Sequence, residues 1–169
     1  MQRSHIIKTD EISSKLLFFE PDNTHALTAK AICEFILRRN VAGAHKLVTA
    51  SKNDSDCAWR FSRAFLHAYQ GKMDEAVADY NQCFKGVFSV TTPIECEEFI
   101  QLILAEEPNC IQLHFCLGYI NYHAKQDFAA AKRDFLKFIE VNTGNRFPKQ
   151  MAIARNLLNE IVSKEIVAK

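Results

Sequence analysis

Apolar residues return every three or four positions along most of the chain, the spacing that places them on one face of a helix. Ile12, Leu16 and Phe19 form such a stripe, predicting a helix over 4–20 that ends before Pro21. Residues 113–141 hold two further helices, the first around Leu117, Gly118 and Tyr122, the second around Ala131, Phe135 and Phe138. Residues 57–85 repeat that plan, with Trp59, Ala64 and Ala68, a break at Gly71, then Ala76, Tyr80 and Cys83. A weaker third copy runs from 26 to 51, with Ala31 and Phe35, a break at Arg39-Asn40, then Ala44, Val48 and Ser51. Ala44 and Ala76 stand 32 positions apart, but Ala76 and Ala131 stand 55 apart, so an extra helix lies between the last two copies. Its start is signalled by Thr92-Pro93-Ile94-Glu95, a capping box with Pro at the first helical position. Phe99, Leu102, Ile103 and Glu106 follow at helical spacing, and Pro108 stops it. A last stripe, Met151, Ala154, Leu157, Leu158 and Ile161, is opened by Pro148.

The paired helices resemble the tetratricopeptide repeat (TPR) family, whose unit of about 34 residues carries the pattern W-x2-L-G-x2-Y…A-x3-F…P. Gly118, Ala64 and Ala31 or Ile32 match the first small position, where two helices cross closely; Ala131, Ala76 and Ala44 match the second. Phe135, Tyr80 and Val48 match the larger residue four places on, and Glu20-Pro21-Asp22-Asn23 and Glu107-Pro108-Asn109 look like the separating Pro turns. The pattern is departed from at Trp59, one place early, at Arg63, where Leu is usual, and in the first copy, which lacks both Trp and Gly. The resemblance implies an all-α protein, a TPR-like solenoid or α-α superhelix forming one domain over 1–169. Its parts are an N-terminal cap helix at 4–20, repeat one at 24–52, repeat two at 55–86, an inserted helix at 92–107, repeat three at 110–142 and a C-terminal cap helix at 147–167. End repeats need such caps, because they otherwise leave a stacking face uncovered.

Composition agrees with long helices: 48% apolar and 24% charged residues, with only five Gly and four Pro to punctuate 169 positions. A formal charge of +1 supplies no basic surface for nucleic acid or an anionic membrane. The N-terminal residues hold no apolar core for a signal peptide, and no apolar run reaches 18 residues. The expectation is a cytoplasmic protein whose six cysteines are reduced thiols used as small core residues.

Candidate chemistry is sparse. Cys110 and His114 share a helix face, with Cys116 nearby, but a structural zinc site needs four ligands and no second pair follows. No nucleophile elbow, phosphate loop or HExxH motif is present, so neither enzymatic activity nor a metal or other cofactor is expected. Between Gly86 and Ala124 every charged residue is acidic; Glu95, Glu97 and Glu98 suit a solvated first turn of the inserted helix.

The TPR resemblance directs attention to the concave groove lined by first helices. Carried onto this chain, it implies a partner-binding set of Phe61, Phe65, Tyr69, Phe115, Tyr119, Tyr122 and His123. Such a surface suits an amphipathic helix or extended peptide. Two states of it remain open: an accessible groove with these aromatics partly exposed, or a groove filled by the cap helices or the insert. The clamp with which co-chaperones of this family grip the acidic tails of heat-shock chaperones is missing, since its positions hold Ala29, Cys33, Ser62, Gln112 and Cys116. The expected function is a non-catalytic scaffold that binds a protein or peptide, with a homo-oligomer allowed. The alternatives are a type III secretion-type chaperone for hydrophobic secreted proteins and helical-repeat RNA binding, which the neutral charge disfavours.

Overall fold

The computed structural model describes residues 3–51, 56–86 and 88–167. Met1 and Gln2 of the leader reading, Lys52 closing repeat one, Ser55 opening repeat two and Val87 in the acidic stretch lie outside them. The protein is all-α: nine α-helices and no strand occur among the described residues. They are α1 (Arg3–Phe19), α2 (Thr24–Arg38), α3 (Val41–Ser51), α4 (Cys57–Tyr69), α5 (Met73–Lys85), α6 (Thr91–Glu106), α7 (Ile111–Ile120), α8 (Phe128–Val141) and α9 (Pro148–Val167). A π-helical turn, Asn121–Lys125, continues α7. The chain divides into two compact units, where the sequence leads one to expect a single domain. One holds the described residues up to Leu66 together with Ala76–Phe88; the other holds His67–Glu75 and the residues from Ser89 onward.

In the first unit, α2 and α3 make a hairpin whose ends are set by side chains. Asn23 caps α2 by accepting a hydrogen bond from the Ala26 amide, and Arg39 stops it in the left-handed region at φ 49°. Asn40 then accepts from the Gly43 amide at 3.0 Å to open α3. Ala31, Phe35, Ala44 and Val48 are buried. Trp59 donates from its indole nitrogen to the Val48 carbonyl at 2.5 Å, tying α4 to the end of α3. Its ring lies 4.1 Å from the guanidinium carbon of Arg63. Arg63 itself donates from Nε to the buried Asp79 of α5 at 2.8 Å, and its Nη2 reaches the second carboxylate oxygen. Arg63, stacked on Trp59, thus joins α4 to α5.

The N-terminal helix corrects the sequence reading. The stripe expected to pack, Ile12, Leu16 and Phe19, faces outward: Ile12 and Phe19 are exposed and Leu16 is half-buried. The buried face carries Ile6, Asp10 and Ser13. Asp10 accepts from Lys30 Nζ at 2.7 Å and from Arg38 Nη2 at 2.9 Å, so two cations of α2 hold the polar side of α1 inward.

In the second unit, α7 and α8 form the tightest hairpin. A Cβ placed on Gly118 would come within 2.6 Å of the Phe135 ring, which accounts for glycine at that position. Asp127 caps α8 by accepting from the Ala130 amide at 2.9 Å. Helix α9 buries Met151, Ala154, Leu157 and Ile161 and packs on α8 and α7. Helix α6 starts at Thr91, two residues before the Pro93 that the capping box places first. Its first amide donates to the Ser89 hydroxyl at 3.3 Å, and Pro93 falls third in the first turn, where its missing N–H is not needed. No acid lies in that first turn, and Glu97 is not solvated: its carboxylate is only 13% exposed and pairs with Lys125 of the π-turn. Among the described residues no helix is long and apolar enough to cross a membrane.

Candidate functional site

The seven residues of the implied groove divide between the units: Phe61 and Phe65 belong to the first, the other five to the second. Phe61, Phe65, Phe115, Tyr119 and Tyr122 are all buried, none more than 9% exposed. The accessible form of the groove is therefore not what these side chains make. Phe61 packs among Tyr80, Phe84 and Phe88, with ring centroids 5.7 to 6.4 Å away, and Phe65 meets Phe35 edge-on at 5.0 Å. Phe115 is enclosed by Tyr119, Phe135 and Phe138. The C-terminal helix covers Tyr122, which donates its hydroxyl to Glu160 and lies under the Lys164 ammonium. Burial together with the Glu160 carboxylate pushes the Tyr122 hydroxyl up to about 12. Tyr69 is half-buried, donating to Glu107 at 2.7 Å; His123 is exposed, its ring 4.4 Å from that of Tyr119.

An accessible apolar groove does exist in the second unit, between α6, α7 and α8. It has a volume of about 760 Å³. Leu104 and Ala105 of α6 form one wall, Leu117 of α7 the floor, and Leu136 of α8, 52% exposed, the other wall. Charge collects on the α8 side, where Arg133 and Lys137 reach the rim and Lys137 donates to Glu140 at 3.1 Å. His114 lies beside them, half-buried; its pKa is lowered by that burial and then by nearby Lys137, so at neutral pH the ring is uncharged. Burial requires the Ala131, Phe135 and Phe138 side of α8 to face the core, which puts Leu136 on the other side, amid charges. The sequence signal for this site was therefore Leu136 itself, an apolar residue off the stripe between Phe135 and Lys137.

Asp134 sits at the edge of the groove, its carboxylate almost wholly buried. Asn121 of the π-turn, fully buried, donates from Nδ2 to Asp134 at 2.9 Å, while its own Oδ1 has no partner. Burial raises the Asp134 pKa more than the Asn121 bond and nearby Arg133 lower it.

Cys110 stands at the start of α7 with its thiol 3.6 Å from the Glu107 carboxylate, and Cys116 is buried. No group of three or more His, Cys, Asp or Glu side chains that could hold a metal ion occurs among the described residues. Comparison with protein-family models, curated proteins and solved structures yields no match to this chain.

Proposed function

We propose that this chain is a non-catalytic, TPR-like interaction module whose working surface is the α6–α7–α8 groove, which takes an amphipathic helix or extended peptide of a partner protein. The observation that carries this reading is the accessible leucine-lined groove, with Leu136 half in solvent and basic residues on one rim. Its volume falls within the range of roughly 300–1,000 Å³ usual for binding clefts. Apolar anchors on the partner would fill the space between Leu104 and Leu136, and a carboxylate beside them would meet Arg133 and Lys137. The TPR-like reading is supported by the full burial of Ala44, Ala64, Ala76 and Ala131 and by the close approach of Phe135 to Gly118, at positions where that repeat pattern calls for small residues. The buried aromatics of the second unit, Phe115, Tyr119 and Tyr122, serve this surface indirectly, by packing between the helices that form it.

The test is selection of helical peptides from a displayed library against the intact protein, followed by affinity measurement on Leu136→Glu and Tyr119→Ala. Loss of at least tenfold in affinity on Leu136→Glu, with helical content and melting temperature unchanged, is the expected outcome. Selected peptides that bind Leu136→Glu as tightly as wild type would overturn the assignment.

A further inference from the structure

The outward face of α1 carries four large apolar side chains that the other described residues leave exposed. Phe18 is 81% exposed and Phe19 78%, and Ile7 and Ile12 are also exposed. The two phenyl rings contact each other edge-on at 5.2 Å and nothing else encloses them. A monomer seldom leaves so many large apolar side chains together in water, and such a patch marks an interaction site.

The polar residues on the same face indicate the occupant. At about 100° per residue, Lys8, Glu11 and Lys15 run down the middle of the outward face. Ile7 and Phe18 lie along one edge, and Ile12 and Phe19 along the other. We infer that the outward face of α1 pairs antiparallel with α1 of a second copy of this chain, about a two-fold axis at the level of residue 13. In that arrangement Glu11 stands opposite the partner's Lys15 and Lys15 opposite the partner's Glu11. Ile7 meets the partner's Phe18 along one edge and Ile12 meets its own counterpart along the other, while Lys8 lies at the partner's Phe19. A self-complementary set of this kind is what an isologous interface requires, each contact occurring twice. Glu11 and Lys15 are both exposed, and neither has an ion-pair partner among the described residues.

Four-fifths of each Phe side chain, together with the exposed parts of the two isoleucines, comes to roughly 500 Å² per copy. About 1,000 Å² in total lies at the lower limit for a specific interface, so the association is reversible and micromolar rather than permanent.

Sedimentation equilibrium of the full chain across a concentration series tests this. Wild type is expected to shift from monomer to dimer as concentration rises. Glu11→Lys alone and Lys15→Glu alone are each expected to remain monomeric, because each places like charges opposite one another twice. An equimolar mixture of the two variants should dimerise again, since one copy then offers two lysines where the other offers two glutamates. Phe18→Ser/Phe19→Ser should be monomeric with unchanged circular dichroism. A wild type that stays monomeric at the highest concentration, or single charge variants that dimerise like wild type, or a mixture that does not recover, would overturn the inference; the first of these results would assign the face to a different protein.

Discussion

Arg63 and Asp79 make a contact that leucine, the residue usual at position 63 in the pattern the sequence resembles, would not make. Leucine at position 63 would supply apolar packing alone; Arg63 stacks on Trp59 and satisfies a carboxylate that is 7% exposed. Arg63→Leu is accordingly expected to cost about 2–3 kcal/mol, since it removes the guanidinium that donates to the buried Asp79 carboxylate. The double variant Arg63→Leu/Asp79→Leu should recover most of that loss in urea denaturation, and a double variant worse than the sum of the singles would contradict the account. Two other carboxylates set opposite pH responses. The Arg38 guanidinium, followed by Lys30, holds Asp10 below the usual carboxylate range, so its contribution is full above the ordinary value of 3.8 and is lost as pH falls through the lower folded value. Burial holds Asp134 above that range, so its contribution is full below 3.8 and declines as pH rises through the higher folded value. Melting curves against pH should show Asp10→Asn flattening the acid limb and Asp134→Asn flattening the limb above pH ~4. An Asp134→Asn profile parallel to wild type would mean that the carboxylate ionises normally.

Among the elements, the α7–α8 hairpin depends most on a single small residue. Gly118→Ala places a methyl group against the ring of Phe135, which is fully buried beside Phe115 and has no room to move. Overpacking of this kind is expected to cost about 1–3 kcal/mol, measured by thermal denaturation, and an unchanged melting temperature would show that the helices do not cross at that point. This hairpin was legible in the sequence because Gly118, Ala131 and Phe135 fall at the spacing a close crossing demands. Helix α1 was legible only as a helix. Periodicity locates an apolar stripe but does not say which face packs, and here Lys30 and Arg38, 20 and 28 residues away from Asp10, turn the polar face inward. The start of α6 was misread by two residues for a similar reason: Ser89, outside the capping-box pattern, accepts from the first helical amide.

For the whole molecule, the all-α class followed from periodicity and scarce Gly and Pro, because both act locally along the chain. The site did not. A repeat register tells which residues line the inner side of first helices, but not that Phe84, Phe88, Phe135, Phe138 and the C-terminal helix bury those very residues. Thirteen phenylalanines in 169 residues need cover, and most of the implied groove provides it as core. The partner surface proposed above is what the core leaves over, with Leu136 as its marker. The most direct measurement is therefore a titration of the protein, methyl-labelled at leucine, with a library-selected helical peptide. Saturable shifts are predicted at Leu104, Leu117 and Leu136, with the fully buried Leu113 nearly unmoved. Saturable shifts centred instead on Leu66 of α4, next to the buried Phe65, with Leu104 and Leu136 silent, would contradict the account and return the binding site to the aromatic groove.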